Sequence, residues 1–296
     1  MTSDLKPSIG VALGGGSARG YAHIGALATL ERHGLAPDVV VGTSFGAVIG
    51  ALYALRRTPE AMEDQAARLR RRDVLPHVVD FGLHRGGLFA GERLEAYFDR
   101  LVEGRTFDDL SRTLLVTATD ADTGERVLLR EGSLARALRA SASLPGVFAP
   151  VEIEGRRLMD GGIGTPVPLD ALDALDLDLR IGIGAGSDGE DSGTIRAVQR
   201  ALRHPWGARV HAAMGRAGSG YVGSLSRALA WTAEGYLATQ SEAGHQVHTR
   251  PPIHWLRFDR AEEAIRAGER ALEHAIPALR AALLEAVRVR TLPALG

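Results

Sequence analysis

The chain of 296 residues contains neither cysteine nor asparagine, and Lys6 is its only lysine. The lack of cysteine excludes disulfides, thiolate zinc sites, iron–sulfur clusters and cysteine nucleophiles. With its one lysine near the N-terminus, the chain also lacks the Gly-Lys-Ser/Thr of a P-loop and a lysine within the fold for a pyridoxal Schiff base. Any nucleophile must therefore be serine, threonine, aspartate or glutamate.

The chain also lacks an excess of charge of either sign. Its 35 basic and 36 acidic residues give a formal net charge of −1, which excludes a general attraction to nucleic acid. Hydrophobic residues make up 45% and charged residues 24%, as in globular proteins. No apolar run reaches the roughly 18 residues of a membrane span, and the first residues lack a signal-peptide pattern. We therefore expect a cytoplasmic protein.

Short apolar runs alternate with helical spacings along the chain. The patterns predict strands at 9–13, 38–41, 114–119, 126–129, 151–159, 179–183 and 253–258, and helices at 21–33, 47–55, 60–71, 92–102, 133–141 and 261 to about 289, with Pro277 breaking or kinking the last. This alternation predicts an α/β fold with a mainly parallel sheet covered on both faces. No shift in composition divides the chain, so we predict one domain over residues 1–296, with a C-terminal helical part at 261–296.

Residues Gly42-Thr43-Ser44-Phe45-Gly46 form a G-x-S-x-G between an apolar β-branched run and a helix of small residues. In this context the flanking glycines allow a sharp turn that lifts the serine hydroxyl clear of the strand end, near the positive end of the helix dipole. The pattern predicts Ser44 as a nucleophile, and a purely structural turn is the alternative.

A glycine-rich loop at 14–20, Gly-Gly-Gly-Ser-Ala-Arg-Gly, follows the first predicted strand and precedes a helix. Its register does not fit a dinucleotide-binding G-x-G-x-x-G, because Ser17 or Arg19 falls where that pattern needs glycine. Small residues ahead of a helix also aim backbone N–H groups at an anion, as an oxyanion hole requires. We favour this second use.

A serine nucleophile needs a base that takes its proton. Asp160 ends a strand-like segment and precedes Gly161 and Gly162, so its carboxylate emerges where the backbone can turn sharply. Taken alone, Asp-Gly-Gly is more often a plain turn. The alternative base is a late histidine such as His204 or His245, as in a Ser-His-Asp α/β-hydrolase, although that fold normally has several strands before its elbow.

Together these blocks resemble the three signature motifs of patatin-like phospholipases. The resemblance rests on the glycine loop running into Tyr21-Ala22-His23-Ile24-Gly25, on the elbow at 42–46 and on Asp160-Gly161-Gly162; the segment 139–148 is similar as well. It covers residues 8–170 and is closest to short, single-domain bacterial members. Two residues depart from the family pattern. Ser17 replaces a glycine, which matters if the backbone there needs positive φ, and Thr165 replaces an asparagine.

The resemblance implies a three-layer α/β/α sandwich that hydrolyses acyl esters of phospholipids or other lipids without a metal or other cofactor. It implies a Ser–Asp dyad in which Ser44 is the nucleophile and Asp160 the base. The oxyanion hole would be formed by Gly14, Gly15, Gly16 and Ser17, supported by Arg19, Gly20, Gly42, Gly46, Gly161 and Gly162. Partial desolvation of Asp160 is needed, because an ordinary carboxylate with a pKa of about 3.9 is a weak base. We expect 186–250 to form a lid or to shape the acyl pocket.

Several further groups have simpler interpretations. We expect His23 to be packed, and His245 and His248 to lack the partners of a metal site. A solvated turn is expected for the acidic residues Asp188, Glu190 and Asp191. The basic run Arg68, Arg70, Arg71 and Arg72 is expected to form a solvated helix face, and contact with anionic lipid headgroups at a membrane surface is the alternative. A regulatory protein that keeps the fold without turnover is the alternative function from another class.

Overall fold

The computed structural model describes residues 6–68, 80–84, 87–186 and 244–291. Its strands are β1 (Ile9–Leu13), β2 (Val39–Thr43), β3 (Phe81–His84), β4 (Gly87–Phe89), β5 (Thr113–Asp120), β6 (Arg126–Leu129), β7 (Gly146–Phe148), β8 (Val151–Ile153), β9 (Arg156–Asp160), β10 (Leu179–Gly184) and β11 (His245–His248). Its α-helices are α1 (Ala22–Arg32), α2 (Phe45–Ala54), α3 (Pro59–Arg68), α4 (Glu92–Leu101), α5 (Leu134–Ser141) and α6 (Ala261–Thr291).

The central sheet has the strand order β11-β10-β1-β2-β5-β9-β8, with β6 paired to β5. The strands from β11 to β5 run parallel to one another, whereas β6 and β9 are antiparallel to β5, and β8 is antiparallel to β9. A small second sheet joins β3, β4 and β7. The predicted α/β fold with a mainly parallel central sheet is confirmed.

Strands β2 and β9 meet end to end along one edge of β5. Thr43, the last residue of β2, pairs with Thr117 of β5, and Asp160, the last residue of β9, pairs with the next residue, Ala118. Strand β6 pairs with β5 over residues 116–119, which overlaps both partners, so it occupies the opposite edge. A parallel and an antiparallel strand therefore end at the same point of the sheet from opposite directions.

The two faces of the sheet are covered differently. The larger core packs the helices against one face, and its fully buried strand residues include Val11, Leu13, Val40 and Val116. The other face forms a smaller core with the 3-10 helix Leu169–Leu172, and its strand residues are Ala12, Val41 and Leu115. Because side chains alternate between the faces of a strand, adjacent residues such as Ala12 and Leu13 enter different cores.

Helix α1 lies in close contact with α6. A side chain at Gly25 would collide with the carbonyl oxygen of Ile265, and one at Gly268 would collide with that of Ala22. Glycines at both positions therefore permit the backbones to approach.

None of the helices in the described ranges is long and apolar enough to span a membrane.

Two strand predictions are wrong. The segment 151–159 is a hairpin of β8 and β9, because Glu154 and Gly155 adopt positive φ values of 52° and 75° and reverse the chain. The segment 253–258 is a turn that leads into a 3-10 helix at Phe258–Arg260. Pro251 and Pro252 precede it and have no N–H groups for a sheet.

Other boundaries differ by a few residues or extend the prediction. Helix α6 continues through Pro277, so the chain does not break there, and the alternative of a kink at Pro277 stays a prediction. Strand β11 was not predicted and adds a parallel edge strand next to β10. Of the segment 186–250, the structure describes only 186 and 244–250, and the prediction of a lid or acyl pocket concerns residues outside those described. The single domain over 1–296 stays a prediction.

Candidate active site

Ser44 forms the sharp turn between β2 and α2. Its backbone has φ 52° and ψ −123°, a conformation that residues with a side chain rarely adopt. The flanking glycines permit this turn. A side chain on Gly42 would collide with the backbone of Ala47. A side chain on Gly46 would collide with the carbonyl oxygens of Leu13 and Gly14, where β1 passes into the glycine loop. The strand, turn and helix predicted for this motif are confirmed.

Asp160 accepts a hydrogen bond directly from the nucleophile candidate. Ser44 Oγ donates to Asp160 Oδ2 at 2.8 Å, and the N–H of Gly162 donates to the other carboxylate oxygen, Oδ1, at 2.7 Å. Gly161 lies against Thr117 of β5, where a side chain would collide with that residue. Both carboxylate oxygens are thus held, one by the serine and one by the turn that the two glycines make possible.

Burial changes the acidity of this carboxyl. Asp160 is 3% exposed, and desolvation raises its pKa from 3.8 to about 6, against the opposing effect of the hydrogen bonds from Gly162 and Ser44. The charged form is therefore a stronger base than an exposed aspartate, yet it still predominates at neutral pH. A group with these properties is able to take a proton from a serine hydroxyl.

The end of α5 and the residues that follow it hold both candidate residues, which was not predicted. The N–H of Ser44 donates to Ser141 Oγ at 2.8 Å, and the N–H of Asp160 donates to the carbonyl oxygen of Ser143 at 3.0 Å. Both serines are fully buried. The similarity of 139–148 to a family segment was a signal for this role, but the sequence did not indicate which atoms make the contacts.

The glycine loop passes next to the serine. A side chain at Gly15 would lie 3.6 Å from Ser44 Cβ. The N–H of Gly14 donates to Ile183 O at 2.9 Å, and that of Gly15 donates to Pro166 O at 3.0 Å. Among the described residues, no acceptor takes a hydrogen bond from the N–H of Gly16 or Ser17. Of the four predicted oxyanion donors, these two have N–H groups with no acceptor in the part of the chain that the structure describes.

A family comparison covers the part of the chain that carries this arrangement. The sequence model of the patatin-like phospholipases matches residues 11–173, which is more than half of the chain. The chain belongs to the patatin-like phospholipase family. The match begins inside β1 and ends just after the 3-10 helix Leu169–Leu172, so it includes the glycine loop, the elbow and Asp160.

Relatives of this patatin-like chain are larger proteins. An uncharacterized NTE family protein of Mycobacterium tuberculosis is 33% identical over 201 residues, which is 68% of this chain and 55% of the relative. The human patatin-like phospholipase domain-containing protein 6 is 34% identical over 187 residues, which is 62% of this chain and 14% of that protein. Among solved structures, VipD from Legionella pneumophila has a TM-score of 0.48 at 12% identity, covering 93% of this chain and 67% of VipD.

Ser17, which stands where the family pattern has a glycine, adopts a positive φ. Its φ is 50°, a left-handed value at which glycine carries no steric penalty. The patatin-like loop thus keeps the positive φ with a serine in place of glycine. Thr165, the second departure, is buried and accepts a hydrogen bond from Thr43 Oγ1 through its backbone oxygen at 3.3 Å, a contact that does not depend on its side chain.

The later part of the chain anchors the glycine loop. The buried Arg19 donates from Nε to Ile253 O at 2.9 Å, and the N–H of Ala18 donates to Trp255 O at 2.9 Å. Gly20 lies against the ring of Phe45, the residue after the nucleophile candidate. These contacts explain why 253–258 is not a strand: its carbonyl oxygens accept hydrogen bonds from the loop.

Two of the histidines considered in the sequence, His245 and His23, lie in different parts of the fold. His245 pairs with Ile181 at the start of β11, and three strand spacings of about 4.8 Å, roughly 14 Å, separate β11 from β2. It is therefore out of reach of Ser44. His23 is fully buried, as predicted, and Nε2 donates to Gly14 O at 2.8 Å. Within the described ranges, no cluster of three or more ligating side chains forms a metal site.

Several sequence predictions fall on residues whose side chains the structure does not describe. They concern the candidate base His204, the acidic residues Asp188, Glu190 and Asp191, and the basic run Arg68, Arg70, Arg71 and Arg72. The interpretations given for these residues stay predictions.

Proposed function

We propose that this chain is a lipid acyl hydrolase in which Ser44 is the nucleophile and Asp160 the general base. The observation that carries the proposal is the 2.8 Å hydrogen bond from Ser44 Oγ to Asp160 Oδ2, made to a buried carboxylate whose pKa is raised to about 6. Membership of the patatin-like phospholipases supports lipid acyl esters, and phospholipids in particular, as the substrate class.

Acylation begins when Ser44 Oγ attacks the ester carbonyl carbon and its proton passes to Asp160 Oδ2. The carbonyl electron pair moves onto oxygen, and the resulting oxyanion accepts hydrogen bonds from the N–H groups of Gly16 and Ser17. Helix α2 begins directly after Ser44, so the positive end of its dipole also favours negative charge there. When the carbonyl re-forms, the bond to the alcohol breaks, and the alcohol oxygen takes the proton from Asp160.

Deacylation repeats the sequence with water in place of the serine. Asp160 takes a proton from water, the hydroxide attacks the acyl-enzyme, and collapse releases the fatty acid while the proton returns to Ser44 Oγ. The two Asp160 oxygens have separate tasks, because the bond from Gly162 to Oδ1 keeps Oδ2 directed at the serine. A single carboxylate is therefore sufficient for the proton transfers of both acylation and deacylation.

The Ser44→Ala variant should lose hydrolysis of medium-chain p-nitrophenyl esters by about 10³-fold or more, because no other group forms the acyl-enzyme. The chain offers a matched control in Ser8, whose Oγ also donates to an aspartate, Asp178 Oδ2, at 3.1 Å. Ser8 precedes β1 and lies at the opposite end of that strand from the glycine loop. Ser8→Ala should therefore keep the wild-type rate.

Two results would argue against this proposal. Equal hydrolysis by wild type and Ser44→Ala would exclude Ser44 as the nucleophile. A folded wild type that hydrolyses no ester of any chain length would instead favour the regulatory alternative, in which the patatin-like fold binds a ligand without turnover.

We also propose contact with the membrane surface, through apolar side chains next to this site. Trp255 and Leu256 are 38% and 40% exposed, and the backbone of Trp255 is bonded to the glycine loop. Leu144 is 41% exposed. It directly follows Ser143, whose carbonyl oxygen accepts the hydrogen bond from the Asp160 N–H. Tryptophan and leucine favour the interface between water and acyl chains.

Flotation with vesicles of phosphatidylcholine and anionic phosphatidylglycerol at low and high salt tests this contact. The double variant Trp255→Ser/Leu256→Ser should bind several-fold more weakly, whereas Leu284→Ser, at a 73% exposed leucine of α6, should bind like wild type. Binding should change little with salt, because Arg257 next to this segment is paired with Asp259. Wild-type binding that disappears at high salt, with no effect of the double variant, would assign the contact to basic residues instead.

A further inference from the structure

One peptide group of the glycine loop is held at both ends by hydrogen bonds. The carbonyl oxygen of Gly14 accepts from His23 Nε2 at 2.8 Å, and the N–H of Gly15, in the same peptide group, donates to Pro166 O at 3.0 Å. His23 lies in the first turn of α1, whereas Pro166 follows the Asp160 turn. Two separate parts of the chain therefore fix the plane of this peptide.

The bond to Gly14 determines which ring nitrogen of His23 carries the proton. A carbonyl oxygen only accepts hydrogen bonds, so Nε2 must be the protonated nitrogen and Nδ1 must carry a lone pair. His23 is 0% exposed, and Nδ1 has no hydrogen-bond partner among the described residues. Burial also lowers the pKa of His23 to about 4, so the ring is neutral at physiological pH.

An apolar side chain at position 23 would pack in the same space and remove the unpaired Nδ1, but it would leave Gly14 O without its donor. The property that the histidine adds is the Nε2–H group directed at Gly14 O. This group is needed because Gly14 and Gly15 both lack Cβ atoms, so their own side chains do not oppose rotation of the peptide between them. Rotation there would redirect the next peptide group, which carries the N–H of Gly16.

We infer that His23 is a positioning residue for the oxyanion hole: through Gly14 O it fixes the peptide group that orients the N–H groups of Gly16 and Ser17. This inference rests on the proposed hydrolase function. His23 takes no proton from the substrate or from Ser44, since its unprotonated nitrogen, Nδ1, is fully buried and has no hydrogen-bond partner among the described residues.

Three variants separate positioning from packing. His23→Leu fills the space but has no donor, whereas His23→Gln supplies an amide N–H to Gly14 O. Thr29→Val is the matched control, because Thr29 is also fully buried on α1 and its Oγ1 donates to a backbone oxygen, Gly25 O, at 2.9 Å, away from the glycine loop. For each variant we would measure kcat and KM on a soluble p-nitrophenyl ester, thermal stability, and amide hydrogen exchange of residues 13–20.

His23→Leu should lower kcat by about 10- to 100-fold with little change in KM, less than the 10²- to 10³-fold loss of removing an oxyanion donor outright. It should also speed amide exchange in 13–20 and lower thermal stability only slightly, because the unpaired Nδ1 is removed together with the donor to Gly14 O. His23→Gln should restore most of the wild-type kcat and most of the slow amide exchange in 13–20. Thr29→Val should leave kcat and the exchange of 13–20 unchanged. The acid limb of the pH–rate profile should be the same in all variants.

Wild-type kcat in a folded His23→Leu variant, or unchanged exchange in residues 13–20, would overturn the inference. Equal losses in His23→Leu and His23→Gln would also overturn it, because a donor at position 23 would then not matter. Failure of the hydrolase proposal is distinguishable: wild type would show no turnover, while the exchange of residues 13–20 would still report whether His23 fixes the loop.

Discussion

Asp160→Asn should abolish ester hydrolysis and at the same time stabilise the fold. Loss of the general base is expected to lower kcat by about 10²- to 10⁴-fold. The asparagine is able to keep the hydrogen bond from the Gly162 N–H through Oδ1, while its Nδ2 faces Ser44 Oγ. The oxygen and the nitrogen of the asparagine side chain therefore each have a partner, and the negative charge is removed from its buried position.

The stability gain follows from the raised pKa. Because the folded protein holds the Asp160 proton up to about pH 6 and the unfolded chain only up to about 3.8, this proton favours folding below 3.8 and its contribution is lost as pH rises through 6. Above pH 6 the buried carboxylate therefore costs about 3 kcal/mol, from about two pKa units. Urea unfolding should show Asp160→Asn more stable than wild type by up to this amount at pH 8, with the difference vanishing near pH 4.

Asp178→Asn provides the opposite control. Asp178 accepts hydrogen bonds from the N–H of Ser8 at 2.7 Å and from Arg290 at 2.9 Å, far from Ser44 along the strands. This variant should lose about 1–3 kcal/mol of stability and keep its kcat. A destabilised Asp160→Asn at pH 8, or one that hydrolyses esters at more than a tenth of the wild-type rate, would contradict the assigned role of Asp160.

The rate of hydrolysis should fall tenfold for each pH unit below about 6 and level off above it. Protonated Asp160 is unable to accept the serine proton, and burial raises the pKa of this carboxyl to about 6. Measurement of kcat/KM between pH 5 and 8 checks this dependence. The range should stop at pH 5, because His23, with a pKa lowered to about 4, makes the folded state less stable as the pH falls from 6.5 to 4.

Temperature distinguishes this carboxyl from a histidine base. Ionisation of a carboxyl has an enthalpy near zero, whereas that of an imidazole is substantial, so the acid limb should stay in place between 10 and about 35 °C. A limb that moves to lower pH on warming would indicate an imidazole as the base. Such a result would favour His204, the alternative base outside the described residues, over Asp160.

Local sequence signals predicted the parts of the fold that depend on neighbouring residues. The run Ile9–Leu13, the turn at Ser44 and the small-residue helix after it all appear where their patterns placed them. The hairpin in 151–159 was missed, although Glu154-Gly155 carries a turn signal, because apolar residues on both sides of that turn make the segment resemble one strand. Strand β11 was missed because its single buried apolar residue, Val247, gives little periodicity.

The residues of the candidate site were predictable from the sequence, but the distances between them were not. Ser44 and Asp160 stand out as residues because each has its own glycines, yet their contact depends on β2 and β9 ending at adjacent residues of β5, a register set by distant pairings. The same limit applies to the oxyanion hole. The sequence offered four equivalent N–H groups, and only the carbonyl oxygens of Ile183 and Pro166 distinguish those of Gly14 and Gly15 from the rest.

Labelling with a fluorophosphonate, followed by intact mass and peptide mapping, tests the central claim most directly, because the reagent reports an activated serine without needing the natural lipid. We expect one adduct per wild-type chain, located on Ser44, with a rate that falls below pH 6. Ser44→Ala should remain unlabelled, and Asp160→Asn should label at least 100-fold more slowly. An adduct on another residue, or labelling of Asp160→Asn at the wild-type rate, would contradict a Ser44–Asp160 dyad.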